Sequence, residues 1–142
     1  MELIPFKPIY TKLKTKAEKI FALTNVFKIV EQLNENQIFV CELNLEQVYL
    51  TKEKDGIKLI LENDCISEID SFSRRNRLLF ESSEASVDCF CVSNLLKGFD
   101  FDVDFHSFHS IKQILDCKEL NTQLTSFSNL SFQDFIKEYI QK

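Results

Sequence analysis

Only two glycines, Gly56 and Gly98, and two prolines, Pro5 and Pro8, punctuate this chain, so sharp turns have few places to form. The most informative is Lys54-Asp55-Gly56, because Asp-Gly adopts the positive φ angles of a tight hairpin at little steric cost. The flanking runs Gln47 to Thr51 and Ile57 to Leu61 are rich in β-formers, and the spacing predicts an antiparallel pair around the turn. Similar short runs, Gln37 to Leu43, Cys65 to Phe72, Leu78 to Glu81 and Val87 to Val92, are separated by polar breaks and extend the expectation to an antiparallel meander.

Helical patterns bracket this β-rich centre. Val26, Phe27, Val30 and Leu33 recur at helical spacing, with Thr24 or Asn25 as candidate caps. Periodicity leaves open whether Lys19 to Leu23 extends that helix or forms a preceding strand. Both prolines lie in the first ten residues, so 1–18 reads as an extended basic lead-in. Ser93 is positioned to cap a short helix through Leu95, Leu96 and Lys97 that Gly98 ends, and Phe99 to Phe105 then alternates with period two, as a strand does. A helix is expected from about Ser110 with Ile111, Ile114 and Leu115 inward. The last helix opens with Ser131 and Asp134 as an approximate capping box and aligns Phe132, Phe135, Ile136, Tyr139 and Ile140. The fold class expected is α/β in the α+β sense.

At 142 residues and 44% hydrophobic content the chain can bury one core, and fourteen Phe with no Trp make that core largely aromatic. Five cysteines in irregular spacing, with no secretory signal, read as reduced thiols of a nuclear or cytoplasmic protein. No run of about 20 apolar residues is present, which argues against membrane insertion. A net charge of −5 excludes a protein that coats nucleic acid with its whole surface, although Lys7, Lys12, Lys14, Lys16 and Lys19, and Arg74, Arg75 and Arg77, form local clusters. Clusters of this kind are usually solvated faces.

The residues that carry chemistry are sparse. Asp100, Asp102 and Asp104 share one face of the expected strand and could in principle hold a hard cation, but Phe105 and Ile111 stand where an EF-hand needs glycine and glutamate, and a solvent-facing acidic ladder that discourages edge pairing is the preferred reading. Cys89 and Cys91 lack zinc-knuckle spacing, and His106, His109 and Cys117 form only a loose group. With two glycines there is no phosphate-cradling loop. No catalytic apparatus, cofactor or small-molecule substrate is expected.

Leu50-Thr51, Asp55-Gly56-Ile57-Lys58-Leu59, Leu61-Glu62-Asn63 and Cys65 together resemble the hairpin of the DNA-damage checkpoint sliding clamp, the heterotrimeric relative of proliferating-cell nuclear antigen, and most closely its Rad-one type subunit. Phe21, Asn25-Val26, Ile29, Val30 and Leu33 look like that family's first strand and inner helix. Leu79-Phe80-Glu81, Val87 to Val92 and Asn94-Leu95-Leu96 look like its fifth strand and second inner helix, and Phe101 to Phe105 with Ser110, Ile111, Ile114 and Leu115 like the opening of its second domain. The resemblance implies sliding-clamp-like antiparallel β-sheets with helices on one face, a clamp-like domain over 19–98, and a truncated second one over 99–142. It further implies a nuclear, non-catalytic platform for damage signalling and repair. Its partners would be the other checkpoint clamp subunits, the clamp loader and double-stranded DNA, with Lys28, Lys97 and Lys112 facing phosphates through a local basic face.

A second resemblance comes from a different class. Gln37 to Leu50, ending Leu43-Asn44-Leu45-Glu46-Gln47-Val48-Tyr49-Leu50, is similar to the catalytic loop of a protein kinase, with Ile57-Lys58-Leu59 as the strand that follows. The catalytic Asp position would be Glu42, the metal-binding Asn Gln47, and the Asp of the D-F-G motif Leu61, so magnesium would have no ligands. This implies a pseudokinase-like scaffold without an ATP-binding lobe. It predicts that 87–142 is mostly helical, whereas the clamp resemblance predicts strands at 87–92 and 99–105.

Overall fold

A computed structural model describes residues 2–36, 40, 43–54, 56–61, 84–101 and 103–140. In chain order these form strand β1 (Glu2–Pro5), helix α1 (Phe6–Lys12), helix α2 (Lys16–Glu35), a 3-10 turn (Leu45–Gln47), and strands β2 (Val48–Glu53) and β3 (Gly56–Leu61). Helix α3 (Glu84–Leu96), a 3-10 turn (Phe105–Ser107), helices α4 (Ile111–Leu115) and α5 (Lys118–Gln123), a 3-10 turn (Thr125–Phe127) and helix α6 (Phe132–Ile140) follow.

Helix α2 is the axis of the molecule. Thr15, not Thr24 or Asn25, caps it: the Thr15 hydroxyl accepts from the Glu18 amide while Glu18 reaches back to the Thr15 amide, closing a capping box. Its 20 residues span about 30 Å. Ile20 to Thr24, Val26, Phe27 and Val30 are all buried, so the middle of the helix is enclosed on nearly every side. Thr24 and Asn25 satisfy their side chains on the carbonyls one turn back, at Ile20 (2.7 Å) and Phe21 (2.9 Å).

The hairpin around Gly56 forms as its sequence predicts. Strands β2 and β3 pair antiparallel from Val48↔Leu61 to Glu53↔Gly56, and β1 adds to the outer edge of β2, giving the order β1-β2-β3. Gly56 sits at φ 135°, where a side chain is strained, and a Cβ there would stand 2.1 Å from Gln133 Oε1. The atoms it would meet are the terminal amide of the exposed Gln133 on α6, a flexible group that can shift, so the positive φ is the stronger demand for glycine here.

Several expectations are corrected. Residues 1–18 are not an extended lead-in: they supply β1 and α1, and Phe6, Ile9 and Leu13 are buried. The prolines mark a helix start, Pro5 as the extended N-cap and Pro8 in the first turn, where no backbone donor is required. Val87 to Val92 is not a strand but the middle of α3, whose buried positions Asp88, Cys89, Val92, Ser93 and Leu96 follow helical spacing. Ser93 is thus not a cap; its hydroxyl bonds the Cys89 carbonyl at 2.7 Å, while Gly98 does follow the helix end at φ 99°. Among the described residues of 99–105 there is no strand: Asp100 takes φ 54°, which breaks extended geometry, and Phe105 enters a 3-10 turn. Phe101, Phe105 and Phe108 instead pack edge to face at 5.3 and 5.8 Å. The expected runs Cys65 to Phe72 and Leu78 to Glu81, and most of Gln37 to Leu43, lie outside the described residues.

The two C-terminal helix predictions hold. Ser110 caps α4 with Ile111 and Ile114 buried, and Ser131 Oγ accepts from the Asp134 amide at the start of α6, which buries Phe135 and Ile136. One hydrophobic cluster runs from Phe6 to Ile136, so the segments 1–18, 19–98 and 99–142 share a core. The chain is mixed helix and antiparallel sheet. No helix among the described residues is long and apolar enough to cross a membrane.

Candidate binding groove

Two features stand out on this framework: a loop pinned from beneath by a buried carboxylate, and an aromatic groove on the opposite flank of α2. In the first, Asp88 of α3 is 1% exposed, and its Oδ2 accepts hydrogen bonds from Asn34 Nδ2 at 2.8 Å and from the Val40 amide at 3.0 Å. An ionised carboxylate this deep is tolerable only when donors surround it. Asp88 thereby ties the end of α2 and the chain entering the 3-10 turn to α3. Beyond it, Asn44 caps the turn through the Glu46 amide at 2.9 Å, and Lys7 of α1 pairs with Glu46 at 2.8 Å. That exposed pair lowers the Glu46 carboxyl through the Lys7 hydrogen bond and contributes little to stability. Gln47 Oε1 and Thr51 Oγ1 are buried without a hydrogen-bond partner, and Leu61 is 7% exposed in the apolar end of β3. Two neutral, unpartnered oxygens and a leucine do not form a cation site.

The groove lies between α2, the 3-10 turn Thr125–Phe127 and the first turn of α6, with a volume of about 510 Å³. Its floor is aromatic. Phe21 and Phe127 stack with centroids 4.7 Å apart and planes 10° from parallel, while Phe135 stands edge-on to both from beneath. Phe132, Leu124 and Leu130 complete the apolar lining, and Leu130 is one of two large hydrophobic residues that stay exposed among the described residues. Hydroxyl and amide groups of Asn25, Asn121, Thr125 and Ser128 form the rim, and Lys28 is the one charged lining residue.

Of the three lysines expected to face DNA, Lys28 lies on α2 in this groove. Lys112 lies on α4 in a separate, more open depression with Phe108, His109 and Asp116, and Lys97 is exposed just past the end of α3. All three are solvent-exposed, and Lys28 and Lys112 belong to different concavities. Asp100 and Asp104 are exposed on an irregular segment, Asp102, Arg74, Arg75 and Arg77 lie outside the described residues, and no His, Cys, Asp and Glu cluster able to hold a metal exists among the described residues. Cys89 and Cys117 are buried thiols outside any disulfide, and Cys91 is half-buried. Burial, with a smaller push from the Asp88 charge, raises the Cys89 thiol to about 12, which leaves it inert at neutral pH.

Sequence reasoning missed Asp88 and the groove. A lone carboxylate inside the apolar run Val87 to Val92 was the available signal for the first; the second is assembled from residues about a hundred positions apart and has no linear signature. Set beside protein-family models, curated proteins and solved structures, the chain matches none.

Proposed function

We propose that this chain is a non-catalytic docking module built on the plan of a protein kinase C-terminal lobe whose metal-binding positions have been lost. The observation that carries this reading is helix α3 over Glu84–Leu96, with Asp88 holding the Val40 amide at the mouth of the loop-like segment. The kinase resemblance predicts that 87–142 is mostly helical, and the described residues there form helices and turns joined by short irregular links, with no strand among them. Strand β3, which pairs with β2, carries the Ile57 to Leu59 strand of the same plan, although β2 begins within the loop-like segment at Val48. At the positions read for the catalytic Asp, the metal-binding Asn and the D-F-G Asp stand Glu42, Gln47 and Leu61, and the last two offer no anionic oxygen to magnesium. The only glycines are Gly56 and Gly98, one in a hairpin turn and one after a helix, so no glycine-rich phosphate loop is available.

The checkpoint-clamp reading shares the hairpin but depends on strands at 87–92 and 99–105, where a helix and, among the described residues of 99–105, irregular chain and a 3-10 turn stand. It also needs a basic face shared by Lys28, Lys97 and Lys112, and two of these line different depressions. The docking-module reading is therefore preferred. Its test is thermal unfolding with and without magnesium and ATP, alongside light scattering after co-expression with checkpoint clamp subunits. An unchanged melting temperature and a chain that ignores those subunits are expected. Stabilisation by magnesium-ATP, or a ring-sized complex whose loading onto circular DNA fails in a Lys28→Glu, Lys97→Glu, Lys112→Glu variant, overturns it.

A further inference from the structure

We propose that the groove between α2, the Thr125–Phe127 turn and α6 docks a short acidic peptide segment of a partner protein. An aromatic or leucine side chain of the segment lies on the phenylalanine floor, and a flanking carboxylate pairs with Lys28. This rests on the docking-module reading and names the chemistry of its partner.

Charge points to the sign of the ligand. The chain carries 22 acidic against 17 basic residues, yet the groove lining contains Lys28 and no carboxylate. Lys28 is exposed and makes no ion pair or hydrogen bond with the described residues. An incoming carboxylate gains a charge-assisted hydrogen bond there and meets no repulsion from the lining, whereas a basic peptide finds no counter-charge.

The rim points to a peptide over a simple organic acid. Asn25 Nδ2 donates to the Phe21 carbonyl at 2.9 Å, and Asn121 Nδ2 donates to the carbonyls of Leu115 and Cys117 at 2.9 and 2.8 Å. Asn121 thus has both of its N–H donors committed within the protein and Asn25 one of its two. Their Oδ1 atoms remain acceptors suited to backbone N–H groups, of which a peptide has a series and a fatty acid has none. The floor is suited to one anchor: stacked Phe21 and Phe127, half-buried Phe132 and exposed Leu130 give apolar area at low conformational cost, because the rings are already fixed by mutual packing. A volume of about 510 Å³ matches one large side chain with its flanking backbone.

Random dodecapeptides displayed on phage should be selected against the full chain, and the winning sequence measured as a fluorescein-labelled peptide by anisotropy. The expected winners place Asp or Glu beside Phe, Trp or Leu. Lys28→Glu and, separately, Leu130→Asp should each weaken binding about tenfold or more, while Lys112→Glu in the other depression leaves it unchanged. Lys28 and Leu130 are exposed, so both variants should melt like the parent, which circular dichroism checks. The proposal is overturned by failure to enrich any sequence, by a basic consensus, by insensitivity to Lys28→Glu, or by displacement of the peptide by dodecanoate at equal potency, which would assign the groove to free aliphatic acids. Magnesium-ATP binding would sink the docking-module reading while leaving a positive peptide result standing; failed selection with a protein indifferent to ATP sinks the groove assignment alone.

Discussion

Replacing Asp88 with alanine should destabilise the protein by about 3 kcal/mol, the largest effect expected from any single polar side chain described. The carboxylate accepts from Asn34 Nδ2 and the Val40 amide, and hydrogen bonds to an ionised group contribute about 1.5–3 kcal/mol each. Removing the charge also relieves its desolvation, which offsets part of that loss, but it strands a buried amide at a cost of about 1–3 kcal/mol. With an unfolding entropy near ~2.1 cal/mol/K per residue, a chain of 142 residues should lose roughly 10 °C in Tm. Urea titration followed by circular dichroism measures the change, and a cycle with Asn34→Ala isolates the shared term, expected at about 1–2 kcal/mol. Hydrogen exchange at the Val40 amide should accelerate in parallel, since its protection depends on the carboxylate. Asp88→Asn keeps the volume and one acceptor and should cost about half as much. A cost under about 1 kcal/mol for Asp88→Ala, or strict additivity with Asn34→Ala, would refute the argument that this carboxylate organises the loop.

Two further predictions concern the contacts of α6. Gly56→Ala should destabilise by about 1–3 kcal/mol, because φ 135° is strained for a side chain and the new Cβ collides with Gln133; adding Gln133→Ala should recover only the steric part, and full recovery in urea melts would disprove the backbone argument. Tyr139 donates to Glu18 at 2.5 Å, and this bond holds the Glu18 carboxyl below its ordinary value of 4.5 while lifting the Tyr139 phenol to about 12. A lowered carboxylate contributes stability that is present above pH 4.5 and is lost as pH falls through its folded value; a raised phenol contributes stability that is present below pH 10 and is lost as pH rises towards about 12. Tyr139→Phe should therefore flatten the stability profile at both ends and return Glu18 towards 4.5 in an NMR titration, and a profile identical to the parent's would rule out the linkage.

The local signals read correctly share one property: each needs only neighbours in the chain. Asp55-Gly56 between two β-rich runs specifies a hairpin because turn geometry is decided within a few residues, and Ser110 and Ser131 cap their helices by bonding an amide three positions on. The helical spacing of Val26, Phe27 and Val30 likewise belongs to one element, although its capping box lay further back at Thr15 and Glu18.

What the sequence could not decide was which partner a run would find. Val87 to Val92 is compatible with strand or helix by itself, and became helix because α2 and α4 present surfaces that its i, i+4 positions can bury, with Asp88 answered by Asn34 and Val40. Phe99 to Phe105 alternates like a strand, but Asp100 at φ 54° breaks extended geometry, and Phe101 packs edge to face on Phe105 at the start of a 3-10 turn. The sequence by itself determined the hairpin, the starts of α4 and α6 and an aromatic core, because these follow from backbone geometry and side-chain type over short spans. The assignment of α3, the placement of β1 and the assembly of the Phe21, Phe127 and Lys28 groove were decided by tertiary structure alone, because burial depends on surfaces contributed by residues far apart in the chain.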